Sequence, residues 1–134
     1  MFASGADSVT SVPARRMTLG PDEDLDLGIL CGAQLFDNRR FQCSSAETNV
    51  MDPQHRLLLE CGYTALHSGG FTRSDLLQSR TGVFLGMWPS DFQYVLMQRA
   101  ESSLLLATAG GSSIAAGRLS FVLALTGPNI EVDV

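Results

Sequence analysis

Residues 51–70 read MDPQHRLLLECGYTALHSGG, and this stretch decides the reading of the chain. Asp52 is a strong N-cap residue, because its carboxylate accepts hydrogen bonds from amides that a helix start leaves without partners. Pro53 follows at the first helical position, where a missing N–H costs little. Leu58, Cys61 and Ala65 recur at helical spacing, with Leu57 and Leu66 widening the apolar stripe. Gly69-Gly70 ends the run. The spacing predicts a helix from about Pro53 to Ser68 with that stripe buried.

Working outward, RTGVFLG at 80–86 is a short run of strand formers bounded by glycine, the pattern of a central strand. SDFQYVLMQRA at 90–100 reads as a helix capped by Ser90 or Asp91, with Phe92, Val95 and Leu96 on one face. AGGSSIAAGRLSFVLAL at 109–125 reads as a Gly-rich loop, then a helix capped by Ser112 or Ser113 and packed closely through Ala115, Ala116 and Gly117. GPNIEVDV at 127–134 gives a turn at Gly127-Pro128 and then a strand whose apolar residues Ile130, Val132 and Val134 alternate with polar ones, a half-buried pattern. Helices alternating with apolar strands place the chain in the α/β class. Residues 1–28 read as loop, with Asp22, Glu23, Asp24 and Asp26 as a solvated acidic run rather than a metal site.

Composition narrows the function. The 134 residues carry a net charge of −5, and all nine basic residues are scattered arginines. This excludes the basic patch of a nucleic-acid binder. Cys31, Cys43 and Cys61 contain no C-x-x-C pair, so they imply neither a disulfide framework nor a zinc motif. No apolar run approaches the ~20 residues of a membrane span, and the N-terminus lacks a secretory apolar core. A cytoplasmic location is expected.

Three possible chemistries fail on local grounds. His55, Cys61 and His67 are spaced by six residues, about 240° around a helix, so neither histidine reaches the thiol. Cys61 reads as a small core residue. Residues 109–118 lack the Gly-Lys-Ser/Thr ending of a phosphate loop, although Gly110–Ser113 leaves a small anion-binding module as an alternative. Ser113 resembles a hydrolase elbow only loosely, and no histidine follows it.

The motifs together resemble the β-ketoacyl synthase (ketosynthase) domain of type I polyketide synthases and animal-type fatty acid synthases. That family carries M-D-P-Q-[QH]-R-x-x-L-E-x-x-[WY]-x-A-L, matched here by Met51, Asp52, Pro53, Gln54, His55, Arg56, Leu59, Glu60, Tyr63, Ala65 and Leu66. LFDNRRFQCSSAETNVMDP at 35–53 follows the spacing R-F-D-x-x-F-F-G-I-S-P-R-E-A-x-x-M-D-P, with Gln42 and Ser45 where Gly and Pro are usual. SGADSVTSVPARRMTL at 4–19 is similar to G-x-D-A-V-T-E-V-P-x-x-R-W, and SRTGVFLGMWPSDFQY at 79–94 to S-R-T-G-V-F-V-G-x-x-x-x-D-Y. SSIAAGRLSFVLALTGPNIEVDV at 112–134 resembles S-x-A-A-G-R-[IL]-S-[YF]-x-L-x-L-x-G-P-S-x-x-V-D-T.

The resemblance implies a thiolase-like layered αβαβα fold, incomplete here. Residues 1–134 would be a partial β-ketoacyl synthase N-terminal domain, about the N-terminal third. In the family the motif continues V-D-T-A-C-S-S-S, so the nucleophilic cysteine is expected just after Val134, and the catalytic histidines and lysine later. The resemblance therefore gives this chain no catalytic, cofactor-binding or metal-binding residue. Met51, Asp52, Pro53, Gln54, Arg56, Gly117, Arg118, Gly127, Pro128 and Asp133 are expected as structural motif positions. Leu104–Gly111 resembles a segment lining the acyl tunnel. A full domain would take acyl and malonyl groups from phosphopantetheine-linked acyl carrier protein and work as a homodimer, pairing through the strand at 129–134. A non-catalytic remnant that binds a full-length ketosynthase through that strand is a further alternative. A sheet built from 81–86 and 130–134 alone is expected to have unpaired edges and an uncovered apolar face, an aggregation risk.

Overall fold

The structure, a computed structural model, describes residues 9–13, 25–30, 32, 34–88, 90–98 and 108–133. The chain divides into two compact units, residues 1–32 and 33–134. In the first, β1 (Val9–Ser11) pairs antiparallel with β2 (Asp26–Gly28), Thr10 opposite Leu27. The Ser11 hydroxyl donates to Asp26 Oδ1 at 2.9 Å. The loop expected over 1–28 is thus corrected, and Asp26 belongs to a strand. Three residues are too few for alternation to show in a sequence. Residues 14–24, with Asp22, Glu23 and Asp24, lie outside the described set.

The second unit contains α1 (Ser45–Val50), α2 (Pro53–Ser68), α3 (Arg73–Leu76), β3 (Val83–Met87), α4 (Phe92–Gln98), α5 (Ser112–Leu123) and β4 (Asn129–Asp133). α2 has the predicted ends. Asp52 accepts from the Gln54 amide at 2.7 Å, Pro53 stands in the first turn, and Gly69 caps the C-terminus. Its buried line is different from the expected one. Met51, His55 and Leu59 are buried, Gly62 lies against Leu119, and Leu66 packs on the same cluster. Cys61 is exposed, not a core residue. The true line hides from hydropathy because His55 is polar and Gly62 has no side chain, so the neighbouring line of Leu58, Cys61 and Ala65 reads as the apolar one.

α5 packs against α2 and against both strands of the parallel β3–β4 pair. The core it organises holds Phe41, Met51, Leu59, Leu76, Val83, Ala116, Leu119 and Leu123. Ala115 and Ala116 are buried as expected, whereas a Cβ on Gly117 would meet no atom within 4 Å. The expected Ser112 or Ser113 cap is also corrected: Gly111 is the N-cap, with no side-chain hydrogen bond.

Two loops fix the strand register. Residues 78–82 and 124–128 run side by side, tied by Gln78 N–H to Ala124 O, Thr126 N–H to Ser79 O and Val83 N–H to Pro128 O, each 2.8 Å. Gly127 sits so close to its neighbour that a Cβ there would lie 2.4 Å from the Thr81 carbonyl carbon and oxygen. Val83 is thereby set opposite Asn129, and Met87 opposite Asp133. The alternation read in β4 holds, but its polarity is reversed. Asn129 turns toward α5 and donates to the Ser120 hydroxyl at 3.0 Å. Ile130 and Val132 are exposed, and so is Phe84, the partner of Ile130, at 69%. β3 is therefore apolar on both faces, whereas β4 sets Asn129 and Glu131 on the face opposite to Ile130 and Val132.

Departures from the motif have visible backbone consequences. Gln42, where the resemblance has glycine, adopts φ +56°, the left-handed region. Ser45 occupies the first position of α1, where proline is favoured, and Ser44 before it is extended (φ −70°, ψ 156°).

Buried polar groups cluster at the start of α2. Asp52 is fully buried, His55 is 1% exposed, and both His55 ring nitrogens lack a hydrogen-bond partner in the protein. Burial pushes the His55 pKa down. The Asp52 carboxylate works against that shift and the Arg118 guanidinium adds to it.

The substitutions below are each read by urea unfolding of the 134-residue chain. Gly127→Ala forces Cβ into the Thr81 backbone and is expected to cost about 3 kcal/mol. Gly117→Ala, with open space, is expected to gain up to about 1 kcal/mol in helix propensity. Gln42→Gly relieves left-handed strain against a larger unfolded-state entropy, a net gain of about 0.5–1 kcal/mol, and Ser45→Pro adds about 0.5 kcal/mol. For His55 the folded pKa lies below the unfolded one, so the unfolded chain takes up the proton first. Its contribution is complete above the unfolded value near 6.5 and is lost as pH falls toward the depressed folded value. His55→Gln is expected to flatten the stability loss between pH 7 and 5, by at most about 1.4 kcal/mol per pH unit.

Candidate functional site

In parallel α/β sheets, sites gather outside the carboxyl ends of the strands. Here that edge is marked by the paired residues Met87 and Asp133. Beside it, Gln54, Leu57, Leu58, Cys61, Leu85, Gly86, Met87 and Trp88 line a cleft of ≈ 390 Å³. Among its lining side chains only Gln54, Cys61 and Trp88 carry a polar group. Trp88 at its rim is 73% exposed. Such a surface can seat apolar matter; it has no acid or base to do chemistry.

The start of α2, α1 and the entry to α5 meet in a polar joint. The Asp52 amide donates to Ala109 O at 2.8 Å. Arg118 pairs with Glu47 and donates from Nη2 to Thr108 O at 2.9 Å. The joint borders a second cleft of ≈ 430 Å³, lined by Glu47, Thr108, Ser113, Ile114, Gly117, Arg118 and Phe121. A smaller cleft of ≈ 270 Å³ holds Asp37, Arg40, Phe41, Glu60, Tyr63 and Thr64, where the Arg40 guanidinium lies 4.3 Å from the Tyr63 ring centre.

The motif positions fall into place as follows. Met51 and Asp52 are buried, Pro53 opens α2, and the Gln54 amide fills the Asp52 cap. Arg56 is half-buried, with Nε unpartnered. Gly117 and Arg118 lie on α5, Gly127 and Pro128 set the register, and Asp133 ends β4. The segment expected over Leu104–Gly111 lies outside the described residues as far as 107.

His55 is buried without a hydrogen bond, Cys61 is exposed, and His67 stacks on Tyr63. The three are not brought together. Burial, and then Glu47, raise the Cys43 pKa against the pull of Arg118, which keeps that thiol from being a ready nucleophile. No group of three or more His, Cys, Asp or Glu able to hold a metal is found among the described residues, and no described helix is long and apolar enough to cross a membrane.

Sequence reasoning missed Glu47 as a partner, although a signal was present. Ser44-x-x-Glu47 is capping-box spacing. Ser44 does accept from the Glu47 amide at 3.1 Å, but the Glu47 carboxylate goes to Arg118 instead of returning to the cap. The same spacing at Thr72-x-x-Asp75 forms the full box and starts α3.

Comparison with known proteins agrees with this geometry. The family "Beta-ketoacyl synthase, N-terminal domain" matches residues 3–134. The chain is 38% identical over 138 residues to the Spectinabilin polyketide synthase system protein NorA' of Streptomyces orinoci, covering 99% of this chain and 4% of that protein. It is 31% identical over 140 residues to the polyketide synthase ThaG of Burkholderia thailandensis, covering 96% and 2%. Among solved structures, the ketosynthase from module 6 of the bacillaene synthase of Bacillus subtilis superimposes with a TM-score of 0.73 at 30% identity, over 93% of this chain and 20% of that one. The oxazolomycin ketosynthase domain OzmH KS7 of Streptomyces albus gives 0.78 at 27%, over 97% and 25%. The chain thus spans a quarter or less of the ketosynthase chains it matches, and under a tenth of these synthases. The chain belongs to the β-ketoacyl synthase family, as N-terminal ketosynthase-domain sequence with part of a thiolase-like fold.

Proposed function

We propose that residues 1–134 act as one partial domain, the scaffold of a ketosynthase that condenses acyl and malonyl thioesters by decarboxylative Claisen chemistry, and that this polypeptide alone is inert in that reaction. One observation carries the reading. β4 delivers the V-D of the family motif to the carboxyl edge of the parallel pair, where Asp133 stands opposite Met87. The reaction needs a cysteine directly after that point. In a complete domain its thiolate attacks the acyl thioester, and the carrier's phosphopantetheine thiol leaves. The malonyl group then loses CO₂, and its enolate attacks the acyl-cysteine, releasing the enzyme thiolate and a β-ketoacyl thioester two carbons longer. Within the 134 residues the last cysteine is Cys61, and both histidines precede β3. Acyl carrier protein as partner, a second ketosynthase subunit and a cytoplasmic setting belong to the same proposal.

A second reading has its own support. β4 pairs with β3 along one edge, and its Ile130 and Val132 are exposed. A non-catalytic chain with that surface would associate with a full-length ketosynthase through strand 129–134. The anion-binding alternative at Gly110–Ser113 has only the uncapped start of α5 in its favour, and titration with inorganic phosphate decides it.

The purified chain, given acyl- and malonyl-carrier protein, is expected to release no CO₂ or β-ketoacyl product above a blank; turnover overturns the inert-scaffold reading. Sequencing the transcript past codon 134 is expected to give Ala-Cys-Ser-Ser. A stop codon together with co-purification of a full-length ketosynthase favours the second reading instead.

A further inference from the structure

The polar joint described above closes into a ring. Glu47 on α1 pairs with Arg118 on α5, Arg118 donates to Thr108 O, and Ala109 O accepts from the amide of Asp52, the cap of α2. Two consecutive carbonyls, Thr108 and Ala109, are therefore held by two different helices. Ala109 is buried, packed in a small apolar cluster with Val50 and Leu96. The pair itself is partly sheltered, with 11% of the Arg118 side chain and 29% of the Glu47 side chain exposed. A guanidinium suits this task because its planar fork serves a carboxylate and a carbonyl at once, which a lysine ammonium does less well. The ring joins the residues just before α5, Thr108 and Ala109, to the middle of the helix at Arg118. Farther along, α5 carries β4 through its packing and the Asn129–Ser120 hydrogen bond.

We propose that Arg118, through its pair with Glu47, is a positioning residue: it sets where α5 begins relative to α1 and α2, and so sets where β4 is presented at the carboxyl edge. Its consequence for condensation rests on the ketosynthase reading; the ring itself does not.

The Asp52 amide reports the ring directly, since its hydrogen lies on Ala109 O. The Thr126 amide, bonded to Ser79 O at the opposite end of the unit, reports general loosening. Hydrogen exchange on the 134-residue chain is expected to accelerate about tenfold at Asp52 in R118Q and E47Q, with Thr126 unchanged. The double variant is expected to exchange no faster than R118Q, and R118K to fall between R118Q and the wild type. Unchanged exchange at Asp52, equal acceleration at both amides, or additive effects in the double variant overturn the proposal. In a ketosynthase domain carrying these residues, R118Q is expected to lower kcat about tenfold with KM within twofold, and R118K to recover part of it. An unchanged kcat overturns the link to presentation of β4. Inactivity of the unaltered domain strikes the ketosynthase reading alone, since Asp52 exchange judges the ring without reference to catalysis.

Discussion

The arrangement of the larger unit depends on one close approach of backbone to backbone. At Gly127 there is no room for a single additional carbon, because the Thr81 carbonyl already occupies it. That contact lets the loops at 78–82 and 124–128 lie side by side and exchange hydrogen bonds. The two strands then start level with one another, and α5 is carried across both. A parallel pair has no hairpin turn to set its register. Here the register comes from this approach, and it puts Met87 and Asp133 together at the edge where the family's chemistry is placed.

Around that frame, polar groups do the joining at helix ends. Asp52 caps α2 with its side chain and holds Ala109 with its amide. Arg73 joins the turn at Arg40 to the last turn of α5, donating to the carbonyls of Arg40 and Val122 at 3.3 Å each. These bonds use carbonyls that would otherwise lie unpaired in a small, partly buried unit, where an unmet polar group costs more than a made bond gains. His55 departs furthest from this, buried with both nitrogens unmet, and Asp52 Oδ2, Arg56 Nε, Arg118 Nε and Glu131 Oε1 are also buried without partners.

Much of this was legible in the sequence. Asp52, Pro53 and Gly69 marked the ends of α2 because capping is local chemistry, and the runs at 80–86 and 127–134 announced strands through residue type and turn signals. What failed was facing. Leu58, Cys61 and Ala65 looked like the core line, but the unit uses a line containing a histidine and a glycine, invisible to hydropathy. Ile130 and Val132 looked inward-facing, but the partner strand β3 is apolar on both faces, so alternation in β4 alone cannot say which side meets α5. The β1–β2 pair escaped because its strands are three residues long. Glu47 escaped as a partner because Arg118 lies far away in sequence. Among the motif positions, the left-handed φ of Gln42 gives a reason why glycine is usual there, which the sequence pattern alone could not supply.

The partly buried Arg118–Glu47 pair has a further consequence for how the chain responds to its surroundings. Mobile ions screen charges that lie in water, over about 8 Å at physiological ionic strength, but act much less on pairs drawn out of solvent. An ionic tie of this kind between α1 and α5 is comparatively insensitive to salt. Moderate changes in ionic strength should weaken exposed charge contacts elsewhere on the chain well before they loosen this joint.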